Sequence, residues 1–356
     1  MSTILDRTDA FCARFGLRIP ILLAPMGGAS PPALSVAVAS AGALGACGAL
    51  LMGRDEIVAW ADAVRAETDA PFQINLWTPD PPPTRDAAAE GRVRAFLGQW
   101  GPPVPPEAGD IGLPDFDAQC EALLEVKPAV VSSIMGLYPP SFVSRLKERG
   151  IAWFAVATTV AEARAAEAAG ADVIVAQGGE AGGHRGAFDA ARAERELVGL
   201  VALVPAVVDA VRVPVVATGG IADGRGVAAA LALGASAAQV GTGFLRCPEA
   251  GIHRAWADAL AHTLPEGTLL IRAFSGRPGR SIATDYARAA VAPDAPSPAP
   301  YPVQRGLTTP MRVAGQQAAD VHRMQPWAGQ SAALAKAAPA ADVARTLWEQ
   351  AMGILS

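Results

Sequence analysis

One glycine-rich segment, GGEAGGHRG, carries the side chain best suited to acid–base chemistry in this sequence. The imidazole of His184 can change charge near neutral pH, and the surrounding glycines allow a flat ligand to approach the backbone. We predict that His184 is catalytic and that Glu180 and Arg185 orient the loop. A structural role is expected for the other three histidines, which lie in helix-like stretches: His253, His262 and His322.

Two glycine pairs farther along the chain could hold a phosphate. They are Gly219-Gly220 in ATGGI and Gly241-Thr242-Gly243 in QVGTGF. Backbone N–H groups that no Cβ covers bind anions, especially beside a helix N-terminus. We predict that Gly219, Gly220, Gly241 and Thr242 hold the phosphate of a ligand; the alternative is that these glycines only form tight turns. The absence of a G-x-G-x-x-G helix opening and of a P-loop disfavours a dinucleotide fold.

No metal site and no nucleophilic triad is predicted. The four cysteines stand apart without a C-x-x-C pair, so we expect them to be buried and unpaired in a reducing compartment. No G-x-S-x-G elbow is present. Ser132 and Ser133, in VVSSIMG, are expected to line a pocket, with Ser133 as a substrate contact. Arg277 and Arg280, in FSGRPGRS, either bind an anion or dock a cap.

The elements that must position these groups follow a repeat of one strand and one helix. Short apolar runs, each followed by an Ala-rich amphipathic stretch, are centred near Leu22, Leu44, Ile74, Val131, Ala152, Val173, Val215 and Ala237. This alternation predicts an α/β fold with a parallel sheet, and the number of runs favours a (β/α)8 TIM barrel, whose strand carboxyl ends carry the chemistry. An open doubly wound sheet is the alternative.

Two segments interrupt the repeat. Residues 78–116 concentrate proline, which a barrel helix cannot contain. After residue 270 the repeat gives way to a Pro/Ala stretch and two helical patterns, near 309–322 and 331–352. We therefore predict a barrel and a smaller, mostly helical cap or substrate domain, with the barrel formed by residues 1–77 and 117–270 and the cap by 78–116 and 271–356.

The cap should close a cavity over the carboxyl ends of the strands. Aromatic rings with a few polar groups suit a small, partly apolar ligand. We expect Tyr301 and Trp327 to contact the substrate, with Trp77 nearby.

The composition excludes several classes of partner. With 29 basic and 34 acidic residues the formal net charge is −5, so no clustered positive field is available for nucleic acid or an anionic membrane. The longest uncharged run, 19–53, is broken by prolines and does not suit a membrane span. We expect a cytoplasmic monomer or homodimer that acts on a small molecule.

Several motifs together resemble the nitronate monooxygenases, formerly called 2-nitropropane dioxygenases, which are FMN-dependent (β/α)8-barrel enzymes. The resemblance extends over nearly the whole chain and rests on PILLAPMGG, FQINLW, VVSSIMG, AQGGEAGGHRG, PVVATGGIADG, AQVGTGF, FSGRPGRS, YPVQRGLTTPMR and WAGQS. It implies that FMN contacts Asn75, Gln177, Gly182, Gly220, Gln239, Val240, Gly241, Thr242 and, through the main chain, Pro25, Met26 and Gly27. Thr309 departs from the pattern, because relatives often have Lys there.

The resemblance also implies a reaction. An alkyl nitronate, or the neutral nitroalkane, is oxidised with FMN and O2 to a carbonyl compound and nitrite, and His184 serves as a hydrogen-bond donor to the anion or as a base. Three alternatives stay open: an NADH-dependent flavin reductase of quinones or enoyl thioesters, a non-redox barrel enzyme for a phosphate ligand, and a protein that binds FMN without turnover.

Overall fold

The computed structural model describes residues 3–356. Its strands are β1 Ile21–Leu23, β2 Gly45–Gly48, β3 Phe72–Trp77, β4 Val130–Ile134, β5 Ala152–Ala157, β6 Val173–Gln177, β7 Gly183–His184, β8 Val215–Thr218, β9 Ala237–Val240, β10 Thr268–Ile271 and β11 Gly279–Ile282. Its α-helices are α1 Ile4–Phe15, α2 Pro32–Ser40, α3 Arg54–Arg65, α4 Ala87–Leu97, α5 Phe116–Val126, α6 Pro140–Glu148, α7 Val160–Ala168, α8 Leu200–Val208, α9 Gly224–Ala232, α10 Arg254–Leu260, α11 Asp285–Ala289, α12 Val303–Leu307, α13 Thr309–Gln317 and α14 Ala340–Leu355.

Eight of these strands form a parallel barrel, in the order β1-β9-β8-β6-β5-β4-β3-β2. Backbone hydrogen bonds from Leu23 N to Leu44 O and from Leu44 N to Ile21 O join β1 to the start of β2 and complete the ring. Seven of the predicted run centres lie within a barrel strand, and Leu44 directly precedes one. The predicted TIM barrel is confirmed, and the open sheet is excluded.

Helix α1 closes the amino-terminal end of the barrel. Phe11 and Phe15 on this helix pack with Phe154 from β5, and the ring centroids of Phe15 and Phe154 are 4.9 Å apart. The barrel interior at this end is therefore filled with apolar side chains. The opposite end, where the strands finish, is left for ligands.

A small antiparallel sheet, here called the cap sheet, connects the cap to the barrel, and the sequence patterns did not predict it. Its strands lie in the order β10-β11-β7, and Gly279 of β11 pairs with His184 of β7. Helix α4 belongs to the proline-rich segment 78–116 and shares an apolar cluster with the tail after residue 270. In this cluster, Leu97 of α4 packs near Phe274 and Leu307. The segment 78–116 thus packs against the tail.

The last helix departs from the predicted domain division. Helix α14 packs against α2 and α9 on the outside of the barrel, where Val343 and Leu347 join the large apolar cluster of the outer layer. Helix α14 begins at Ala340, whereas the helical pattern predicted a start near Ser331. Between these two residues the chain forms only a short 3₁₀ turn, Ala332–Leu334. The amphipathic pattern identified a helix, but the apolar face of this helix is buried against barrel helices. Helix α14 therefore packs with the barrel and not with the predicted cap, which ends before it.

Within residues 3–356, no helix has the length and apolar character needed to cross a bilayer. The four cysteines are unpaired and buried, as predicted. Burial raises the pKa of Cys12 to about 11 and that of the other three thiols to about 12. These thiols are therefore poor nucleophiles and act as small apolar side chains.

Candidate active site

All eight barrel strands contribute residues near their carboxyl ends to one cavity of about 830 Å³. This volume is within the usual range for sites that bind small molecules and cofactors. Most of the predicted site residues line it: Pro25, Met26, Gly27, Asn75, Gln177, Gly182, His184, Gly219, Gly220, Gln239, Gly241, Thr242 and Trp327. The strand order therefore brings together groups that lie far apart in the sequence.

The two glycine turns lie side by side, because β8 and β9 are neighbouring strands. The backbone N–H groups of Gly219, Gly220, Gly241 and Thr242 donate to no other residue within 3–356. Gly219 and Gly220 have φ values of +121° and +67°, which L residues with a Cβ adopt only with strain. The result is a set of unpaired donors at the edge of the cavity, as a phosphate site requires.

The loop after β1 approaches the barrel closely. A Cβ on Gly48 of β2 would lie only 2.6 Å from Gly27 N and 2.9 Å from the carbonyl carbon of Met26. Only glycine at position 48 leaves room for this path of the chain. The main chain from Pro25 to Gly28 therefore lies at the cavity surface.

The side chains of Asn75 and Gln239 keep free polar atoms toward the cavity. Asn75 uses its amide nitrogen on the hydroxyl and carbonyl oxygens of Ser132, at 3.0 and 3.1 Å, which leaves its Oδ1 available. Gln239 accepts a 3.3 Å hydrogen bond from Gln73 through Oε1, which leaves its Nε2 available. Such groups can hydrogen-bond the polar edge of a flat ring.

Gln177 has a different use, because both ends of its amide are engaged. Its Nε2 donates to His184 O at 3.1 Å, and its Oε1 accepts from Gly186 N at 2.8 Å. Gln177 therefore positions the loop that carries His184. Glu180 and Arg185 act in the same way, as predicted: the Glu180 carboxylate caps Leu200 N of α8, and the Arg185 guanidinium donates to the carbonyl oxygens of Gln177 and Thr158.

His184 is held on three sides. Its Nε2 lies 2.7 Å from Ser275 Oγ, and its ring meets Trp77 and Trp327 edge to face, with centroids 4.7 and 4.8 Å away. Its Nδ1 forms no hydrogen bond with any residue in the described part of the chain. Because His184 lines the cavity, Nδ1 is the atom available to a ligand.

The surroundings of His184 keep it neutral. Burial, followed by the positive charges of Arg277 and Arg305, lowers its pKa from 6.5 to about 3. The imidazole is therefore uncharged at neutral pH and only weakly basic. It can donate or accept one hydrogen bond at Nδ1, according to how the proton is shared with Ser275.

Three predicted contacts lie outside the cavity lining. Ser133 is fully buried and accepts a 3.0 Å hydrogen bond from the indole of Trp153, because strand alternation turns it outward and turns Ser132 inward. Tyr301 lies behind Trp77, with ring centroids 5.4 Å apart. The side chain of Val240 is buried in the outer apolar layer, which leaves only its backbone near the site.

The two arginines of FSGRPGRS dock the cap. Arg277 is 2% exposed and forms a 2.7 Å ion pair with Asp80, which ties the tail to segment 78–116. Arg280 donates to Gly179 O and Thr268 Oγ1, both at 3.0 Å. Of the two roles considered for them, the structure supports docking.

Sequence reasoning missed several residues at the site. Ser275 and Arg305 both belong to motifs that the sequence analysis recognised, but neither was predicted as a site residue. The contact of Ser275 with His184 could not be predicted from spacing, since the two residues lie 91 positions apart. Thr309 is exposed and does not line the cavity; its hydroxyl donates to Arg305 O and accepts from Arg312. His253 does line the cavity, although its Nδ1 caps α10 through Ala255 N as a structural residue would.

The residues present fit a flavin that carries a phosphate better than a metal. Unpaired N–H donors suit one phosphate, the main chain near Met26 offers a flat surface, and Asn75 and Gln239 offer polar atoms for a ring edge. Within residues 3–356, no group of three or more His, Cys, Asp or Glu side chains is placed to hold a metal ion.

Comparison with known proteins agrees with this geometry. The family described as nitronate monooxygenase matches residues 10–350. A nitronate monooxygenase of Paraburkholderia phytofirmans is 41% identical over 93% of this chain and 92% of its own length, and one of Pseudomonas aeruginosa is 39% identical over 97% and 100%. The crystal structure of nitroalkane oxidase from Streptomyces ansochromogenes superposes with a TM-score of 0.87 at 38% identity, over 98% of this chain and 100% of that one. The chain therefore belongs to the nitronate monooxygenase family of flavin-dependent oxidoreductases.

Proposed function

We propose that this protein holds one FMN at the carboxyl end of the barrel and oxidises alkyl nitronates with O2 to a carbonyl compound and nitrite. The observation that carries the proposal is the joint placement, in one cavity, of unpaired backbone N–H donors and of a neutral histidine between two tryptophans. The membership of the family supports the reaction class.

The donor set supports FMN as the particular flavin. Gly219, Gly220, Gly241 and Thr242 form one compact cradle, which suits a single phosphate group. No glycine-rich dinucleotide fingerprint follows β1 to take a second phosphate. A bound flavin would supply the ring that accepts electrons from the substrate and passes them to O2.

The protein itself binds and orients the substrate. Trp77 and Trp327 offer apolar surfaces beside His184 and help to exclude water from the reacting atoms. His184 Nδ1 can hydrogen-bond the nitronate oxygens, and Ser275 fixes the ring through Nε2. Ser275 is thus a positioning residue for His184.

The electrostatics favour the nitronate anion over the neutral nitroalkane. An imidazole whose pKa is lowered to about 3 is a poor general base for removing the α-proton of a nitroalkane. The positive charge of Arg305, which also lowers this pKa and lines the cavity, stabilises a bound anion. A nitronate needs no deprotonation before it is oxidised.

The test is the spectrum and chemistry of the purified protein. We expect bound FMN near one per chain, identified by mass after denaturation, and anaerobic bleaching of the flavin by propionate 3-nitronate. Faster bleaching by NADH than by any nitronate would contradict the proposal and favour a reductase. A protein that takes up FAD but not FMN would contradict the cofactor assignment alone.

The proposed compartment and oligomeric state rest on the cysteines and on the reaction. Four unpaired, buried cysteines suit a reducing compartment, so we propose the cytoplasm. Reaction with O2 and a small-molecule substrate needs no partner protein, and a monomer or a homodimer stays a prediction.

A further inference from the structure

One buried glutamine lies inside the barrel, beneath the floor of the cavity. Gln73 on β3 is fully buried and does not line the cavity, whereas Asn75, two positions farther along the same face of the strand, does. The side chain of Gln73 reaches Gln239 on β9, although β1 and β2 lie between these two strands in the barrel. Apolar residues stand beside both glutamines in the neighbouring strands, Val130 in β4 and Leu22 in β1. A polar side chain at this depth therefore needs an explanation.

The hydrogen bonds of Gln73 fix which end of its amide faces each partner. Its Nε2 donates to Leu23 O at 3.0 Å, and a main-chain carbonyl can only accept, so the amide oxygen cannot take this place. The same nitrogen donates to Gln239 at 3.3 Å, which requires the acceptor end of that amide, Oε1. Gln239 therefore turns its Nε2 away from Gln73. This Nε2 donates to no residue within 3–356, and because Gln239 lines the cavity, it is the atom offered to a ligand.

This arrangement leaves one polar atom of Gln73 unsatisfied. Gln73 Oε1 is buried and has no hydrogen-bond partner in the described structure. A buried glutamine that serves the fold looks different: both amide ends of Gln304 on α12 are paired, with Ala273 O at 2.7 Å and with Ala299 N at 2.9 Å. A buried acceptor without a partner destabilises the fold, and an apolar side chain would fill the same space without that cost. The amide of Gln73 is therefore explained by its effect on Gln239 and not by packing.

We propose that Gln73 is a positioning residue that holds Gln239 as a hydrogen-bond donor toward the bound flavin and so favours the reduced form of that flavin. The polar edge of a flavin ring gains negative charge on reduction, so an N–H donor stabilises the reduced ring more than the oxidised one. A Gln239 amide that turned freely would present oxygen as well as nitrogen and would lose this preference. The inference rests on the proposed function, because it needs a flavin in the cavity.

The reduction potential of the bound flavin tests this role without turnover. Gln73→Met has a similar length and volume, leaves the cavity lining intact and removes both N–H groups. We expect this variant to bind oxidised FMN nearly as the wild type does and reduced FMN roughly tenfold more weakly, which lowers the two-electron midpoint potential by about 30 mV. Redox titration against reference dyes measures the potential, and titration of the apoprotein measures the affinity for oxidised FMN.

A double-mutant cycle shows whether Gln73 acts through Gln239. Gln239→Met removes the donor itself and should lower the potential at least as much as Gln73→Met does. In that background, Gln73→Met should have no further effect on the potential. Additive shifts would overturn the proposal, as would an unchanged potential in Gln239→Met. Gln73→Leu, with a smaller side chain, takes the place of Gln73→Met if the longer one does not fold.

The matched control is Gln304→Met, which removes a buried amide that does not line the cavity. It should melt at a lower temperature than the wild type, because it leaves Ala273 O and Ala299 N unpaired, and its flavin potential should be unchanged. Infrared spectra give a second readout. Loss of a donor should raise the stretching frequency of a flavin ring carbonyl in Gln73→Met and not in Gln304→Met. A potential and carbonyl bands equal to those of the wild type in Gln73→Met would overturn the proposal.

The potentials also separate this inference from the function on which it rests, because the titration needs no nitronate. If NADH reduces the bound flavin and nitronates do not, the proposed reaction fails, and the shift in Gln73→Met still decides the role of Gln73. If nitronates reduce the flavin but the potential of Gln73→Met equals that of the wild type, the proposed function stands and the inference fails. A protein that takes up no flavin would overturn both.

Discussion

The two walls of the cavity recognise ligands in different ways. The barrel wall, at the ends of β8 and β9, offers backbone N–H groups from two glycine turns. The cap wall offers the charged side chains of Arg305 and Arg312 on two short helices. Between them lies His184, which is uncharged and fixed by Ser275.

This difference implies that the walls can be altered separately. A backbone N–H is present whatever the side chain, so the barrel wall depends on the path of the chain and on the absence of Cβ atoms. The cap wall depends on residue identity, so a single substitution changes its charge without moving the backbone. Changes in the first wall should affect cofactor retention, and changes in the second should affect substrate choice.

The largest effect is expected for Gly182→Val, at the junction of the two walls. A Cβ on Gly182 would lie 2.7 Å from the carbonyl carbon of Ala328 and 2.9 Å from Thr242 Oγ1, and it would also meet Gly329 N. These are mainly backbone atoms that cannot move alone, so we expect about 3 kcal/mol of destabilisation and nearly complete loss of flavin. The measurements are thermal unfolding and flavin absorbance per chain.

The control for this substitution is Gly112→Val. Gly112 has open space around its Cβ direction and no positive φ, so its variant should stay within about 0.5 kcal/mol of the wild type and keep the flavin. If Gly182→Val retained full flavin occupancy, the barrel wall would not depend on this close approach.

Asp80→Asn should destabilise the fold by about 2 kcal/mol without loss of flavin. The substitution leaves the buried Arg277 without its counter-ion, but the side chain of Asp80 is 27% exposed, which moderates the cost. No residue of 78–116 lines the cavity in the described structure, so the cofactor should stay bound. Asp342→Asn, which breaks an exposed ion pair with Arg345, should change the free energy of unfolding by less than about 0.5 kcal/mol. Loss of flavin from Asp80→Asn at full stability would mean that the segment contacts the ligand.

His184→Asn should retain flavin and stability but slow flavin reduction by nitronate about tenfold, because one neutral hydrogen bond to the anion is lost. A neutral nitroalkane provides the comparison. If the imidazole removed the α-proton, the loss with that substrate would be roughly 10²- to 10⁴-fold. Anaerobic stopped-flow absorbance with both substrates distinguishes these roles, and unchanged rates with both would make His184 structural.

The smallest effect concerns pH. Since the pKa of His184 is about 3 in the folded protein and 6.5 when unperturbed, the side chain stays neutral throughout the neutral range. Flavin reduction by nitronate should therefore show no step between pH 6 and 8 that His184→Asn removes. An inflection near 6.5 that vanished in this variant would show that the imidazole titrates normally.

The same shift has a consequence for stability in acid. As pH falls from 6.5 toward 3, the unfolded chain takes up a proton at His184 and the folded chain does not, so the stability contributed by the neutral ring is lost progressively in that window. The slope from this one group is at most about 1.4 kcal/mol per pH unit. Unfolding by denaturant at several pH values should show a shallower acid loss in His184→Asn than in the wild type.

Much of the barrel could be predicted because its signal is local. Runs such as those around Val173 and Val215 are apolar on both faces, as strands buried between a barrel interior and outer helices must be. The three-stranded cap sheet was missed because β7 has only two residues and its partners are distant in sequence. The last helix was identified by its amphipathic pattern, but that pattern does not say which surface its apolar face will cover.

The sequence alone determined the strands, the glycine turns at their ends and the histidine among glycines, because backbone freedom and apolar periodicity are properties of neighbouring residues. Tertiary structure alone decided which side chains meet in the cavity. Strand alternation turned Ser132 inward and Ser133 outward. The pairing of β11 with β7 brought Ser275 to His184, and the packing of α12 left Arg305 without a counter-ion in the cavity wall. Such contacts depend on strand register and helix packing across the whole chain, which no local pattern specifies.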